Sequence, residues 1–423
     1  MADKKTFISE VTAQIRSKEA KQYVSEELGY HLEEAKKSFL QKGMAETEAE
    51  EKAIKRMGSP QEIGQQLNRV HRPRPDWYLL GLLCTVLCLG FLPLLMPGFL
   101  VPRFILSKVI IVVISAAAAF VLMKIDYRKW KRAGWLFYTV GVLFLIGIDF
   151  FSNLTINGKA YLKFGSITLD SIMVMPFFYL AYASFMNNRK CKVWHFVLLF
   201  LVPLILFGYV PNLSAAFIYS MMVFIMLWKS VFSRKTIIAI WSAAAMMLAF
   251  ITAIFWHSAR YYQKERILAI LHPYHDTGYT SMQAKKLLTH AGWFGQSNPY
   301  DLFIAEPYTN FVFVSFTYCY GWLLAAFLVL ILIMFPVRMA MTVSKVKDGY
   351  GKLLTVGAAA FFTVQFACHI GMAAGVFPMT EMSLPFISYG LAPALLNAAV
   401  IGIVLSVYRK KNLVAAGISA EKR

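Results

Sequence analysis

The sequence has little charge and, past its first segment, very little acid. Asp, Glu, Lys and Arg make up 16% of the 423 residues, while 58% are apolar. That balance excludes an ordinary soluble domain and implies a polytopic membrane protein. Residues 1–76 carry 14 basic and 13 acidic side chains; from Trp77 onward there are 29 basic and only 10 acidic. The formal charge of +20 therefore belongs to the apolar part. Its basic residues lie between apolar runs, which fits the positive-inside distribution and excludes nucleic acid as a partner. Cysteine is also sparse. Cys84, Cys88, Cys191, Cys319 and Cys368 have neither a disulfide framework nor metal-ligand spacing, and four of them sit in apolar runs as small hydrophobes. A cleavable signal peptide is lacking too, because Met1-Ala-Asp-Lys-Lys5 leads into a charged helical pattern. The first spanning run is expected to act as the signal anchor.

Residues 1–72 predict a small, soluble four-helix head. Phe7, Val11 and Ile15, then Tyr23, Val24, Leu28, Leu32, Ala35 and Phe39, recur at helical spacing. Gly43 and Gly58 fit as helix stops, and Ser59-Pro-Gln-Glu62 has the form of a capping box opening the fourth helix. His71-Arg-Pro-Arg-Pro75 is a stiff basic linker. The head holds no catalytic constellation, and His31 fits a helix surface.

From residue 77 to 410 the fold class is all-α, with about ten transmembrane helices. Apolar runs lie at 77–97, 104–124, 133–151, 168–186, 194–210, 213–233, 236–256, 309–335, 352–376 and 391–408. Basic clusters at 124–132, 189–192, 229–235, 338–352 and 409–411 fall on alternate connections, which places both termini in the cytoplasm. Residues 411–423 form a cytoplasmic tail. The opposite side receives the long polar loop 257–308, whose exit, Ile304-Ala-Glu-Pro-Tyr-Thr-Asn-Phe-Val-Phe313, shapes the mouth of a pocket. Acids at or near a membrane are costly and mark function by default. On the outer side these are Asp149, Asp170, Glu265, Asp276, Asp301, Glu306 and Glu381. His369, in a Gly- and Ala-rich run, fits an interhelical hydrogen bond.

The last outer loop ends Leu384-Pro-Phe-Ile-Ser-Tyr-Gly390, which resembles the LPFxSYG signature of the SEDS family (FtsW, RodA, SpoVE). His369-Ile-Gly-Met372, Asp276-Thr-Gly-Tyr279 and Glu306-Pro-Tyr-Thr-Asn-Phe-Val-Phe313 match further family segments in order. The head resembles the HAAS-type prefix domains found ahead of some bacterial membrane proteins. The resemblance implies a multi-pass protein of the bacterial plasma membrane, in a family that polymerises the undecaprenyl-linked disaccharide-peptide precursor of peptidoglycan. It serves division, elongation or sporulation, with a single-pass transpeptidase as the expected partner. It also implies the site residues. The family's proposed catalytic Asp falls at Asn310, with Glu306 as a candidate substitute base. Asp276, Asn212, Pro385, Ser388, Tyr389 and Gly390 fall in family motifs, as substrate-binding candidates; Lys159 and Lys285 are candidates by their charge, as anion contacts for the pyrophosphate.

The departures run in one direction. The family's QPD aspartate is Asn212, its paired glutamates after the TDF motif fall at Tyr318 and Cys319, and its QPSE segment is Asp170-Ser-Ile-Met173. General-base catalysis contributes about 10²–10⁴-fold in rate, and an amide such as Asn310 can hydrogen-bond a sugar but cannot accept its proton. The expected function is therefore precursor binding with weakened or lost transfer, in a regulatory or scaffold role. An active transferase using Glu306 is the alternative. A flippase or transporter is a further reading, which no inverted repeat or paired broken helices support. The pyrophosphate chemistry is compatible with a divalent cation, but no ligand spacing marks a metal site.

Overall fold

The computed structural model describes the chain except residues 1–2, 17, 72–74, 97–101, 157–158, 165–166, 211, 259–278, 297–303, 378–381 and 412–423. It divides into two compact units, one of residues 1–76, 345–348 and 408–423, the other of 77–344 and 349–407.

In the first unit, α1 (Lys4–Ala13), α2 (Lys18–Leu40), α3 (Glu46–Met57) and α4 (Pro60–His71) pack around one apolar core. Phe7, Val11 and Ile15 meet Val24, Leu28, Leu32, Ala53 and Ile54 there. Gly64 sets how closely α1 and α4 approach, since a Cβ at that position would lie 2.7 Å from the Val11 carbonyl oxygen. Around the core, Lys4 pairs with Glu33 at 2.7 Å, and Lys36 bridges Glu46 (3.0 Å) and Glu50 (2.9 Å). Hydrogen bonding from Lys4, then its charge, holds Glu33 below the usual carboxylate range; the Lys36 hydrogen bond does the same for Glu50. Both shifts are downward, so these pairs contribute above the ordinary carboxylate value of 4.5 and are lost as pH falls below it. The gain is small for such exposed groups. Hydrogen exchange in α1–α3, corrected for intrinsic rates, should accelerate between about pH 5 and pH 3, and Glu50→Gln should flatten that dependence.

The second unit holds α5 (Trp77–Leu89), α6 (Pro102–Lys124), α7 (Gly134–Phe151), α8 (Met175–Asn187), α9 (Val193–Tyr209), α10 (Leu213–Leu227), α11 (Arg234–Ser258), α12 (Tyr279–His290), α13 (Val312–Lys345) and α14 (Gly349–Ala373). The last helix, α15 (Leu391–Lys410), crosses from this unit into the first at residue 408. Among the described residues, six segments are long and apolar enough to cross a membrane: Trp77–Leu95, Arg103–Lys124, Tyr127–Phe151, Val312–Lys345, Gly349–Ala373 and Leu391–Lys410. The apolar helices at Ser171–Asn187, Val193–Tyr209 and Leu213–Leu227 are shorter. Helix α10 stops at Leu227 rather than running on to 233, where a turn lets Val231 N–H donate to the Met186 carbonyl at 3.0 Å.

The all-α expectation misses a small sheet. Strands β1 (Leu154–Ile156), β2 (Lys159–Phe164) and β3 (Ile167–Leu169) form an antiparallel meander, with Leu154 opposite Tyr161 and Leu162 opposite Leu169. The Asn157-Gly158 pair between β1 and β2 is a strong hairpin signal in the sequence.

Helices α7, α8, α9, α10 and α14 make the densest packing in the unit, and Pro203 organises part of it. A proline inside α9 has no N–H for the carbonyl four residues back, which leaves Leu199 without its helical donor. Tyr138 from α7 and Tyr182 from α8 both donate to that oxygen, at 3.0 and 2.7 Å. Tyr219 from α10 donates to the next carbonyl, Phe200, at 3.1 Å, and its hydroxyl lies 2.6 Å from that of Tyr182. The proline thus frees one acceptor, and two neighbouring helices supply its donors. Replacing Tyr138 and Tyr182 together by Phe should cost about 1–3 kcal/mol of stability, read as a lower thermal midpoint of the full chain. Adding Pro203→Ala, which restores an N–H, should recover part of that loss.

Candidate functional site

The site forms where two irregular segments, 304–311 and 382–390, lie side by side. In the first, Glu306 takes a left-handed conformation (φ 51°) just before Pro307, and its carbonyl accepts from the N–H groups of Thr309 and Phe311, both at 3.2 Å. The residue before a proline is kept out of the right-handed helical region, so the chain turns sharply before α13 can begin. The exposed Glu306 carboxylate folds back over this turn. Its Oε2 accepts from Thr309 Oγ1 at 3.0 Å and from Asn310 Nδ2 at 2.5 Å.

The second segment supplies a rigid wall. Ser388 Oγ accepts from the Leu384 N–H at 2.7 Å and donates to the Thr309 carbonyl at 2.8 Å; Tyr389 N–H donates to the Tyr308 carbonyl at 2.8 Å. Phe104 of α6 packs its ring against both Tyr308 and Tyr389. Burial, with Cys319 adding to it, raises the Tyr308 phenol above its ordinary value, which keeps it a neutral group. Phe386 has φ 65°, a conformation that costs about 1–3 kcal/mol for a residue with a side chain. Stacking between Phe335 and Phe362 holds it there, each ring centroid 5.6 Å away. Pro385 lines the same apolar pocket with Leu332 and Phe366. Gly390, at φ 151°, makes the turn into α15.

Three further elements hold this wall. Lys108 of α6 donates to the carbonyls of Phe386, Ile387 and Ser388 at 3.3, 3.2 and 3.1 Å. His369 Nδ1 lies 2.6 Å from the Met382 carbonyl and so carries the ring proton, and Gln365 Nε2 donates to Ser383 Oγ at 3.2 Å. Gly90 admits the Phe386 carbonyl, which would lie 2.8 Å from any Cβ there.

Helix α13 is broken at Gly321 (φ 85°, ψ 169°), and the segment after α12 fills the break. The Trp322 and Leu323 N–H groups donate to the Gly292 and Trp293 carbonyls, and the Gln296 N–H donates to the Tyr318 carbonyl. Glycines are required on both sides. A Cβ at Gly295 would strike the Cys319 carbonyl, and one at Gly321 would strike the Trp293 carbonyl.

The structure thus brings together Glu306, Asn310, Pro385, Ser388, Tyr389 and Gly390. Lys285 of α12 lies against Gly375, at the start of the segment leading to the wall. Asn212 belongs to another cluster. It is 2% exposed and caps α10 by accepting from the Ala215 N–H, while its amide hydrogens go to Asp170 Oδ1 (3.1 Å) and Ser171 Oγ (2.9 Å). Asp276, Asp301 and Glu381 lie outside the described residues, as does the side chain of Lys159. Among the described residues no three His, Cys, Asp or Glu side chains gather as metal ligands. Sequence reasoning missed Lys108, although a lone lysine inside the apolar run 104–124 is a signal in its own right. Ser388→Ala should lower the thermal midpoint by an amount equivalent to about 1–3 kcal/mol, because Leu384 N–H and Thr309 C=O lose their partner. Tyr389→Phe, which keeps the backbone bond to Tyr308 and the ring contact to Phe104, should leave it unchanged.

Comparison with known proteins agrees with this architecture. The family described as "Cell cycle protein", FtsW/RodA/SpoVE, matches residues 79–413. The probable peptidoglycan glycosyltransferase FtsW of Trichlorobacter lovleyi is 25% identical over 326 residues, covering 72% of this chain and 83% of that protein. Peptidoglycan glycosyltransferase MrdB of Escherichia coli is 22% identical over 315 residues, covering 70% and 84%. Stage V sporulation protein E of Bacillus subtilis is 23% identical over 322 residues, covering 70% and 84%. Among solved structures, a chain from a peptidoglycan synthase complex superposes with a TM-score of 0.70 at 23% identity, over 80% of this chain and 98% of that one. The Thermus thermophilus rod shape determining protein RodA gives 0.60 at 19% identity, over 80% and 97%. With the family match spanning most of its length, the chain belongs to the FtsW/RodA/SpoVE family of integral membrane proteins, the SEDS peptidoglycan glycosyltransferase family.

Proposed function

We propose that this protein binds the undecaprenyl-linked disaccharide precursor of peptidoglycan at the Glu306–Asn310 mouth and has weakened or lost the power to polymerise it, acting as a regulatory or scaffold component of cell-wall synthesis. One observation carries this reading. Where the family resemblance places the catalytic acid, the chain has an amide, and that amide donates a hydrogen to the remaining carboxylate, Glu306. Glycosyl transfer needs a group to take the proton of the attacking sugar hydroxyl, and Asn310 cannot take it. It can still present its carbonyl oxygen to a sugar. The surrounding wall of 382–390, with Tyr308 and Tyr389 flanking Phe104, supports a bound-ligand role for a mouth that keeps its shape without its base.

The same contact supports a second reading. Glu306 Oε2 lies 2.5 Å from Asn310 Nδ2, so a carboxylate is present beside the position of the family acid and could serve as a relocated base. Both readings take the apolar part as ten spans with cytoplasmic termini and residues 1–72 as a HAAS-like head. Division, elongation and sporulation are all represented in the family's reach, and a single-pass transpeptidase is the partner that the family resemblance suggests.

Purified full-length protein given lipid-linked precursor separates the readings. Precursor should bind to wild type with little or no polymer formed, and Asn310→Asp should raise polymerisation by about 10²-fold or more. Polymerisation by wild type that Glu306→Gln abolishes would instead establish the relocated base. A chain that neither binds precursor nor polymerises it in any of the three forms would sink both.

A further inference from the structure

Lys108 lies inside an apolar helix, yet only 2% of it is exposed. A charged side chain placed so is costly unless its donors are engaged. Its ammonium meets three successive carbonyls, Phe386, Ile387 and Ser388, and among the described residues no carboxylate lies within ion-pair distance. Among the described residues, its partners are therefore carbonyls and not acids. In extended chain successive carbonyls point in different directions, so three of them meeting one nitrogen mark a tight backbone turn. The left-handed Phe386 lies in that turn.

From this clamp a short chain of hydrogen bonds reaches the mouth. Ser388, whose carbonyl Lys108 holds, donates its hydroxyl to the Thr309 carbonyl at 2.8 Å. The Thr309 hydroxyl in turn donates to Glu306 Oε2 at 3.0 Å, on the oxygen that also receives Asn310. We propose that Lys108 is a positioning residue for the Glu306–Asn310 pair, acting through the 386–388 carbonyls and Ser388 and touching no ligand itself. All three ammonium hydrogens are engaged by the wall, which leaves none for a substrate. The assignment of a use to the pair rests on the precursor-binding reading; the clamp itself does not.

Hydrogen exchange on the full-length protein in lipid nanodiscs tests the clamp directly. Lys108→Met, which replaces the ammonium by an apolar group of similar length, should accelerate exchange at the Phe311, Ser388 and Tyr389 amides by about ten-fold or more while leaving α7–α10 unchanged. Lys108→Arg, which keeps charge and donors, should stay within about three-fold of wild type at the same amides. Unaltered exchange at those three amides in Lys108→Met, or an equal acceleration throughout α7–α10, would overturn the proposal. Affinity for lipid-linked disaccharide precursor then tests the coupling. Lys108→Met should weaken binding by about ten-fold in wild type and have little further effect beside Glu306→Gln, since one acts through the other. Equal weakening in both backgrounds overturns positioning through Glu306. Affinity unmoved by any of these variants, together with the selective exchange change, overturns the precursor-site reading and supports the clamp alone.

Discussion

A chain in hydrocarbon has no water to take up a stray backbone group, and each unsatisfied N–H or C=O there costs several kcal/mol. That constraint explains the positions of several polar side chains in the apolar unit. Regular helices meet it by themselves. The informative places are those where the helix is interrupted, because a partner must then come from elsewhere in the sequence. Pro203 frees a carbonyl, and tyrosines from two other helices supply the hydrogens. Gly321 breaks α13, and the backbone of 292–296 fills the gap. The 386–388 turn gathers three carbonyls, and Lys108 receives them. Each solution spans a long stretch of sequence, so each interruption also locks distant elements together.

The same bookkeeping clarifies the acids that the family pattern leads one to expect. The family resemblance places aspartates at Asn310 and Asn212, and in both places the amide donates to a carboxylate from another position, Glu306 in the first case and Asp170 in the second. Two carboxylates at such a spacing would repel one another; an amide beside a carboxylate attracts it instead. The substitutions therefore keep a polar pair at each location while halving its negative charge. At Asn212 the outcome is purely architectural, because the side chain is buried and caps α10. At Asn310 the pair stands at a mouth, with Glu306 exposed.

Much of this was legible in the sequence, for identifiable reasons. Helical periodicity gave the buried positions of the first helices, where Phe7, Val11, Ile15, Val24, Leu28 and Leu32 all reach the core, because apolar spacing alone decides which face of a short helix is buried. Apolar runs located most of the long helices to within a few residues, although α13 continues to Lys345, well past the run that ends at 335. The LPFISYG stretch pointed to the wall of the site. What stayed hidden depends on contacts far apart in sequence. The break at Gly321 looks like one more glycine in an apolar run until the 292–296 segment is placed against it. Lys108 stands out as a lysine within an apolar run, but its role waits on its three acceptors, some 280 residues later. The meander at 154–169 was a different case, since Asn157-Gly158 between alternating residues announces a hairpin.

The mouth has a further property that follows from how it is built. Neither Glu306 nor Asn310 stands on a regular stretch of helix; both belong to the turn that precedes α13, and that turn is fixed by bonds from the Tyr389 N–H and the Ser388 hydroxyl rather than by the helix it opens. The wall that supplies those bonds is held in turn by Lys108, Gln365, His369 and the stacked ring of Phe386, from α6, α13 and α14. Replacing an acid by an amide at Asn310 leaves all of these interactions in place, because none of them depends on the charge at that position. The charge at position 310 and the shape of its surroundings are thus separable in this fold. An amide there can stand in an intact frame, which is the physical condition that the precursor-binding proposal requires.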